Sequence, residues 1–405
     1  MSKQQSFNPL NLSISQVAQE VEPFHVMKLL GEAKALEAQG KQMIHLEIGE
    51  PDFPSLTCVH DAVTEAINHG KTHYTPTLGL PILREKLSQF YHDFYHADVP
   101  SERILLTPGA SGALHLLLTA IINPSDKVML CDPTYPCNRE FVNLLHGKVV
   151  SVPVDESSQF QLTLELIQKH WHPDIKAVMV ATPSNPTGTL IEQTELKSIA
   201  DFLEEKEVYL IVDEIYQGLV YERPAESILS IRDLQANVIV INSFSKFFGM
   251  TGWRLGWIVA PNFLIPTLDK LAQNLYLAAS TPAQYGALRV LENDALAELE
   301  NRRQTFETRR TQLYEAMIAA GFNIPCKPQG AFYLYWDVSD LTDDAEAFCK
   351  ALMEHTGVVL TPGRDFGDFR SNHHIRIAYT VDNAYLKEAV TKIRFFVDSV
   401  LKNHG

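Results

Sequence analysis

No part of the 405-residue sequence approaches the roughly 18–20 consecutive apolar residues that span a bilayer, and its longest apolar runs are of strand length. The first residues, Met1-Ser2-Lys3-Gln4-Gln5-Ser6, lack the apolar core of a signal peptide. No membrane partner is expected. Positive charge is also short: 34 Lys and Arg face 49 Asp and Glu, a formal net charge of −15, which argues against nucleic acid and anionic surfaces as partners. Cysteine is scarce. Cys58, Cys131, Cys137, Cys326 and Cys349 are odd in number with no CxxC spacing, so they read as reduced thiols of a cytoplasmic protein. The GxGxxG fingerprint of a dinucleotide site is missing, no HExxH helix stands out, and His373-His374 has no third ligand at metal spacing. No metal is expected.

What is present is a well-mixed globular composition, 45% hydrophobic and 20% charged, with material for two domains or one large one. Residues 11–45 read as an arm followed by a helix through Phe24-His25-Val26-Met27-Lys28-Leu29-Leu30, with Gly40 as its stop. A short alternation, Ile44-His45-Leu46-Glu47-Ile48, precedes the turn-rich Gly49-Glu50-Pro51-Asp52-Phe53-Pro54. Helices are expected near 57–69 and 81–96. Short apolar strands then recur at 104–107, 128–130, 149–152, 177–180, 209–212 and 238–241, most of them separated by amphipathic segments of helix length. That alternation predicts an α/β fold with a largely parallel sheet covered on both faces. The stretch 255–260 follows too closely for a parallel crossover and should pair antiparallel. Beyond about 285 long charged helices appear, then strands near 331–336, 358–360 and 375–379, as in a smaller α+β domain. The expected division is an arm and part of the small domain over 1–48, a large domain over 49–290 and the rest of the small domain over 291–405.

The chemistry concentrates after the strand ends, where open parallel sheets gather ligands. Ser243-Phe244-Ser245-Lys246 places a lysine just beyond a buried strand, with Arg254 eight positions on. Lysine is rarely buried without a partner; desolvation and nearby cations lower its pKa and make the amine nucleophilic enough to form a Schiff base. Ser243, Ser245 and Arg254 are the donors a phosphate beside that amine would want. The pattern suggests pyridoxal phosphate. Pro108-Gly109-Ala110-Ser111-Gly112 opens a helix whose free N–H groups suit an anion, although such a turn by itself is commonplace. Tyr135 after one strand reads as packing or as a ring laid against a planar cofactor. Asn185 sits in a dense turn cluster, and Asp213 closes an apolar strand as either a helix cap or a carboxylate in want of a cation.

Together these residues resemble the class I/II aminotransferase family of fold-type I pyridoxal-phosphate enzymes, over about residues 20–400. The specific elements are Ser-x-Ser-Lys with Arg254 and its glycines, and Asn185, Asp213 and Lys246 in the family's order. The resemblance implies a large domain with a mostly parallel seven-stranded sheet plus a smaller α+β domain. It implies pyridoxal 5'-phosphate held as an internal aldimine by Lys246, which then shuttles the proton at the substrate's Cα. By the same resemblance, Asp213 pairs with the ring nitrogen, Asn185 and Tyr216 bond the phenolic oxygen, and Tyr135 stacks on the ring. Ala110, Ser111, Ser243, Ser245 and Arg254 would hold the phosphate. Tyr74 would reach the phosphate of a second subunit, so a homodimer with shared active sites is expected. Arg376 would fork onto the substrate α-carboxylate and Gly49 close against it. The substrates would be an L-amino acid and a 2-oxo acid.

Some bacterial aspartate-type relatives carry a lysine where this chain has Ser111. Arg364 is a conceivable substitute for that cation, although in its loop it reads as a surface residue. The same core residues would also serve a β-lyase acting on cysteine conjugates. A non-catalytic ligand sensor is disfavoured: the residues before about 20 leave little room for a DNA-binding segment, and the charge is −15.

Overall fold

The computed structural model describes residues 12–23, 25–231 and 237–401. The N-terminal hexapeptide and Phe24 lie outside them. Among the described residues twelve strands occur, in the order β1 Ile44–His45, β2 Ile104–Thr107, β3 Lys127–Asp132, β4 Lys148–Pro153, β5 Ile175–Ala181, β6 Tyr209–Asp213, β7 Val238–Ser243, β8 Gly256–Val259, β9 Tyr333–Asp337, β10 Val358–Val359, β11 Thr361–Pro362 and β12 His374–Ala378.

The main sheet has seven strands in the order β2-β8-β7-β6-β5-β3-β4. All are parallel except β8, which runs antiparallel between β2 and β7, as the short connection requires. Neighbouring residues in each strand feed opposite cores, which explains why these runs are apolar throughout. Leu105, Leu130, Met179, Ile211 and Ile239 pack on one face with the Gly109–Ile121 and Ile265–Leu275 helices. Leu106, Met129, Val178, Leu210 and Val240 face the other, larger core. With both faces covered, period-two patterning vanishes and only β-branched and aliphatic enrichment marks the strands.

The chain after residue 290 begins with a 27-residue helix, Asn293–Ala319. It packs against β9 of a three-stranded antiparallel sheet, β11-β12-β9, and against the Asn383–Phe396 helix, which in turn packs on the Ala345–Thr356 helix. The N-terminal segment joins this unit, because β1 pairs parallel with β10. Among the contacts that tie it to the rest of the chain are two polar junctions. Buried Arg309 grips Asp52 with both Nη atoms (2.7 and 2.9 Å) and reaches Asp382 (3.2 Å), with its guanidinium over Phe53 and Phe306. At the second, Asp132 ends β3 and accepts from the backbone N–H groups of Asp368 and Phe369 (3.1 and 3.3 Å), while Thr134 N donates to Phe366 O (2.8 Å).

Gly367 sits where a Cβ would lie 1.7 Å from Asp132 Oδ1. Gly367→Ala therefore has to open this junction, with an expected loss of about 1–3 kcal/mol of stability. A shift in the denaturant midpoint measures it, and an unchanged midpoint would mean that the loop yields freely.

Candidate active site

Strands β2, β3, β5, β6 and β7 end on one edge of the main sheet, and a cavity of about 750 Å³ opens there. It is lined by Gly49, Ala110, Ser111, Tyr135, Asn185, Asp213, Tyr216, Ser245, Lys246, Arg254 and Arg376. Residues far apart in sequence thus converge because parallel strands deliver all their following loops to the same side.

One end of the cavity is an anion cradle. The Gly109–Ile121 helix points its N-terminal amides there. Gly109 has φ +71°, and its Cβ would stand 2.7 Å from Arg254 Nη2, so only glycine admits the guanidinium beside the helix start. Arg254 is anchored through Nη1 to Thr251 O (3.0 Å). Ser245 lines the wall, but Ser243 does not. As the last residue of β7, Ser243 lies one layer behind: its Oγ accepts from Ser245 N (3.1 Å) and stands 2.9 Å from Ser245 Oγ and 3.1 Å from Leu255 O. Its hydroxyl is thus bonded to Ser245 and sets the orientation of that residue.

In the middle, the Lys246 amine donates to Gly49 O (2.6 Å). Burial lowers its pKa to about 8, helped by the positive charges of Arg376 and Arg254 and opposed by Glu50 and Asp213. Asp213 is pushed the other way, to about 6, chiefly by burial; the Ile215 N–H (3.1 Å) and the Lys246 charge only partly offset this. A buried carboxylate so poorly supplied with donors calls for a cation or a protonated ring nitrogen.

At the other end the Arg376 guanidinium stands over the rings of Tyr333 and Phe366, 4.4 and 4.8 Å from their centres. Its Nη1 donates to Asn185 Oδ1 (3.0 Å), and Nη2 donates to Glu47 O and Thr361 Oγ1 (3.4 Å). The Asn185 carbonyl therefore faces the arginine and its NH2 is directed elsewhere. Arg376 Nε is buried and has no partner among the described residues.

Two residues raised by the sequence lie outside this lining, one expected to serve a second subunit and one read as a surface residue. Tyr74 is 81% exposed and outside the lining. Arg364 is likewise outside it; its side chain is 61% exposed and stands 3.9 Å from Glu346. Conversely, sequence reasoning missed Tyr333, Glu50, Asp365 and Phe366 in the wall. Asp365 caps the His25–Glu37 helix, accepting from His25 N and Val26 N (2.8 and 3.1 Å), and thereby brings Val26 and Met27 to the cavity. Tyr333 was hidden in an apolar strand, where only the polar tip of an aromatic residue signalled a second role.

The model of the family "Aminotransferase class I and II" matches residues 41–393. The chain belongs to the class I and II aminotransferases. The aminotransferase is 35% identical over 377 residues to a Methanocaldococcus jannaschii (5-formylfuran-3-yl)methyl phosphate transaminase, covering 93% of this chain and 97% of that one. It is 32% identical to a valine–pyruvate aminotransferase of Mycobacterium tuberculosis, covering 94% and 97%. Among solved structures it superposes on an aminotransferase from Mycobacterium tuberculosis with a TM-score of 0.92 (32% identity, 96% and 99% covered). The maleate-bound aspartate aminotransferase of Thermus thermophilus gives 0.88 (30%, 95% and 99%). The fold is therefore fold-type I, and the enzyme is a pyridoxal-phosphate-dependent aminotransferase acting on amino and oxo acids. The cavity suits that cofactor: an amine near neutrality, an under-supplied buried carboxylate and an anion cradle share one space.

In the cofactor-free protein the Lys246 amine should gain reactivity as pH rises through about 8 and level off above it, because deprotonation makes it nucleophilic. Rates of borohydride-trapped labelling by an aromatic aldehyde measure this. A rise continuing to the ordinary lysine pKa would contradict it.

Proposed function

We propose that this aminotransferase transfers an amino group between an L-amino acid and a 2-oxo acid, with Lys246, Asp213 and Arg376 as the principal actors. The observation that carries the reading is the cavity's order: anion cradle, buried amine beside a buried carboxylate, then a buried guanidinium with an unpartnered Nε.

Lys246 would hold the cofactor through its amine and would serve as the base that moves the proton at substrate Cα. Its depressed pKa suits both tasks, since a neutral amine is available near physiological pH. Bound pyridoxal phosphate supplies an electron sink for the charge left at Cα. Asp213 keeps the ring nitrogen protonated, and that positive charge would in turn stabilise the carboxylate that burial now pushes toward neutrality. Asn185 and Tyr216 bond the phenolic oxygen. Tyr135 packs on the ring. Ser245, Arg254, Ser111 and the amide of Ala110 hold the phosphate, with Ser243 behind them. Arg376 receives the substrate carboxylate on its fork, and the Gly49 backbone closes beside it.

The division into 1–48 with 291–405 and 49–290 is offered on the strength of the β1–β10 pairing, with the junctions at Asp52 and Asp132 as the elements that govern closure over substrate. A homodimer is proposed because Tyr74 is fixed in an outward position. Its neighbours are pinned, Thr281 Oγ1 to His73 O (2.8 Å) and Gln284 Nε2 to Thr75 Oγ1 (3.1 Å), while the ring itself stays exposed. A cytoplasmic setting is proposed from the five free cysteines, three of them buried. Among the described residues no helix is long and apolar enough to cross a membrane.

Lys246→Ala should lose both the absorbance of lysine-bound cofactor and turnover; a reducible link surviving at another lysine would overturn the assignment. Arg376→Lys should lower kcat/KM for amino acids roughly 10- to 100-fold, mostly through KM, because the planar fork is lost. Stoichiometric conversion of cofactor to its amino form by single amino acids supports transfer, whereas pyruvate and ammonia released without an acceptor would favour the β-lyase. If Tyr74 serves the neighbouring subunit, mixing inactive Lys246→Ala and Tyr74→Phe chains should give activity above either parent. A simple average of the two would remove the shared site.

A further inference from the structure

One buried tyrosine of the cavity, Tyr333, has no proton to move and no substrate atom to hold in this scheme, yet it touches both Tyr216 and Arg376. It opens β9 and is 1% exposed. In the β9–β12 register Arg376 stands opposite Tyr335, so Tyr333 is its diagonal neighbour on the same sheet face. Its ring lies 4.4 Å from the Arg376 guanidinium. Its hydroxyl stands 2.7 Å from that of Tyr216, and the two rings meet edge to face at 5.7 Å. From a third side the chain at Gly49 comes so close that a Cβ there would lie 2.0 Å from the Tyr333 oxygen. The side chain is therefore locked from three directions.

Phenylalanine would furnish the same shelf for Arg376, so the hydroxyl needs its own reason. A buried phenol is costly unless hydrogen-bonded, and here its partner is another phenol. Each hydroxyl has one proton. If Tyr216 donates into the cavity, its oxygen has to accept from Tyr333, which both aims the Tyr216 proton and polarises it into a better donor.

We propose that Tyr333 is a positioning residue that serves both halves of the site, orienting the Tyr216 hydroxyl through its own and holding the Arg376 guanidinium on its ring. This rests on the roles given to Tyr216 and Arg376. Two substitutions separate the two effects. Tyr333→Phe in the holoenzyme keeps the shelf and removes the hydroxyl. Tyr216 then donates less strongly to the phenolic oxygen, that oxygen stays more negative, and it holds the proton of the lysine-linked cofactor more tightly. The midpoint of the spectroscopic pH titration should rise by roughly 0.3–1 unit, with KM for the amino acid changed less than about twofold. Tyr333→Leu removes the ring as well and should also raise that KM roughly three- to thirty-fold, the range expected when a desolvated cation loses its aromatic face. In a Tyr216→Phe background, Tyr333→Phe should shift the midpoint no further.

A side chain that merely fills space would lower the thermal midpoint and move neither reading. The inference is overturned by an unchanged titration in folded Tyr333→Phe, by a shift that persists without the Tyr216 hydroxyl, or by a KM indifferent to Tyr333→Leu. A native holoenzyme with no lysine-bound cofactor band would instead strike at the roles of Lys246 and Tyr216, and the inference would fall with them.

Discussion

The site depends on one close approach of three backbones. β8 returns antiparallel between β2 and β7, and at Gly256 it comes so near that a Cβ would stand 2.8 Å from Asn242 O and 2.9 Å from Ala110 N. That contact sets the start of the Gly109–Ile121 helix, the end of β7 and the Arg254 loop side by side. Helix amides, Ser245 and a guanidinium can then face one anion, although they come from segments far apart in sequence. A side chain at Gly256 would pry these three segments apart. Gly109 repeats the constraint at the helix start, where Arg254 occupies the space a side chain would need.

The carboxylate-binding end is built by a different kind of convergence. Arg376 comes from β12, its shelf from β9 and the loop at Phe366, and its backbone acceptor from Glu47. Among the described residues this cation meets aromatic faces, one carbonyl, one amide oxygen and one hydroxyl, and pairs with no carboxylate. It keeps its charge for a substrate. The Arg309–Asp52 clamp and the Asp132 junction lie at the borders where this unit meets the main sheet, so the relative placement of the two ends is governed by polar contacts outside the cavity.

Electrostatics link the two ends. Lys246 and Asp213 are each driven toward neutrality by burial, and each partly restores the other's charge. A bound cofactor with a cationic ring nitrogen would reinforce Asp213 and leave the amine free of that partner. The Tyr333–Tyr216 hydroxyl pair and the Arg376–Asn185 bond meet near the same region, so the groups proposed for the phenolic oxygen are both oriented by residues at the carboxylate end.

Much of this was legible in the chain itself. Short aliphatic runs separated by helix-length segments were enough for a parallel sheet, because both faces of such strands must be apolar. The distance from β7 to β8 was too short for anything but an antiparallel return. Lys246 with Ser243, Ser245 and Arg254 could be named because an amine after a buried strand, beside donors suited to a phosphate, has few purely structural uses, whereas Asn185, Asp213 and Arg376 took their roles from the family resemblance. Local sequence is blind to depth and to neighbours. Ser243 and Ser245 look equivalent in one motif, yet strand geometry puts one at the wall and the other behind it. Arg364, read as a surface loop residue, is exposed. Tyr333 looked like one more apolar strand residue until β9 was paired with β12 and Gly49 closed over it. The sequence by itself determined the elements and the reactive groups, since both follow from local composition and chemistry. Which of those groups share a cavity, and which residues orient them, was decided only by tertiary packing, because it depends on contacts between segments far apart along the chain.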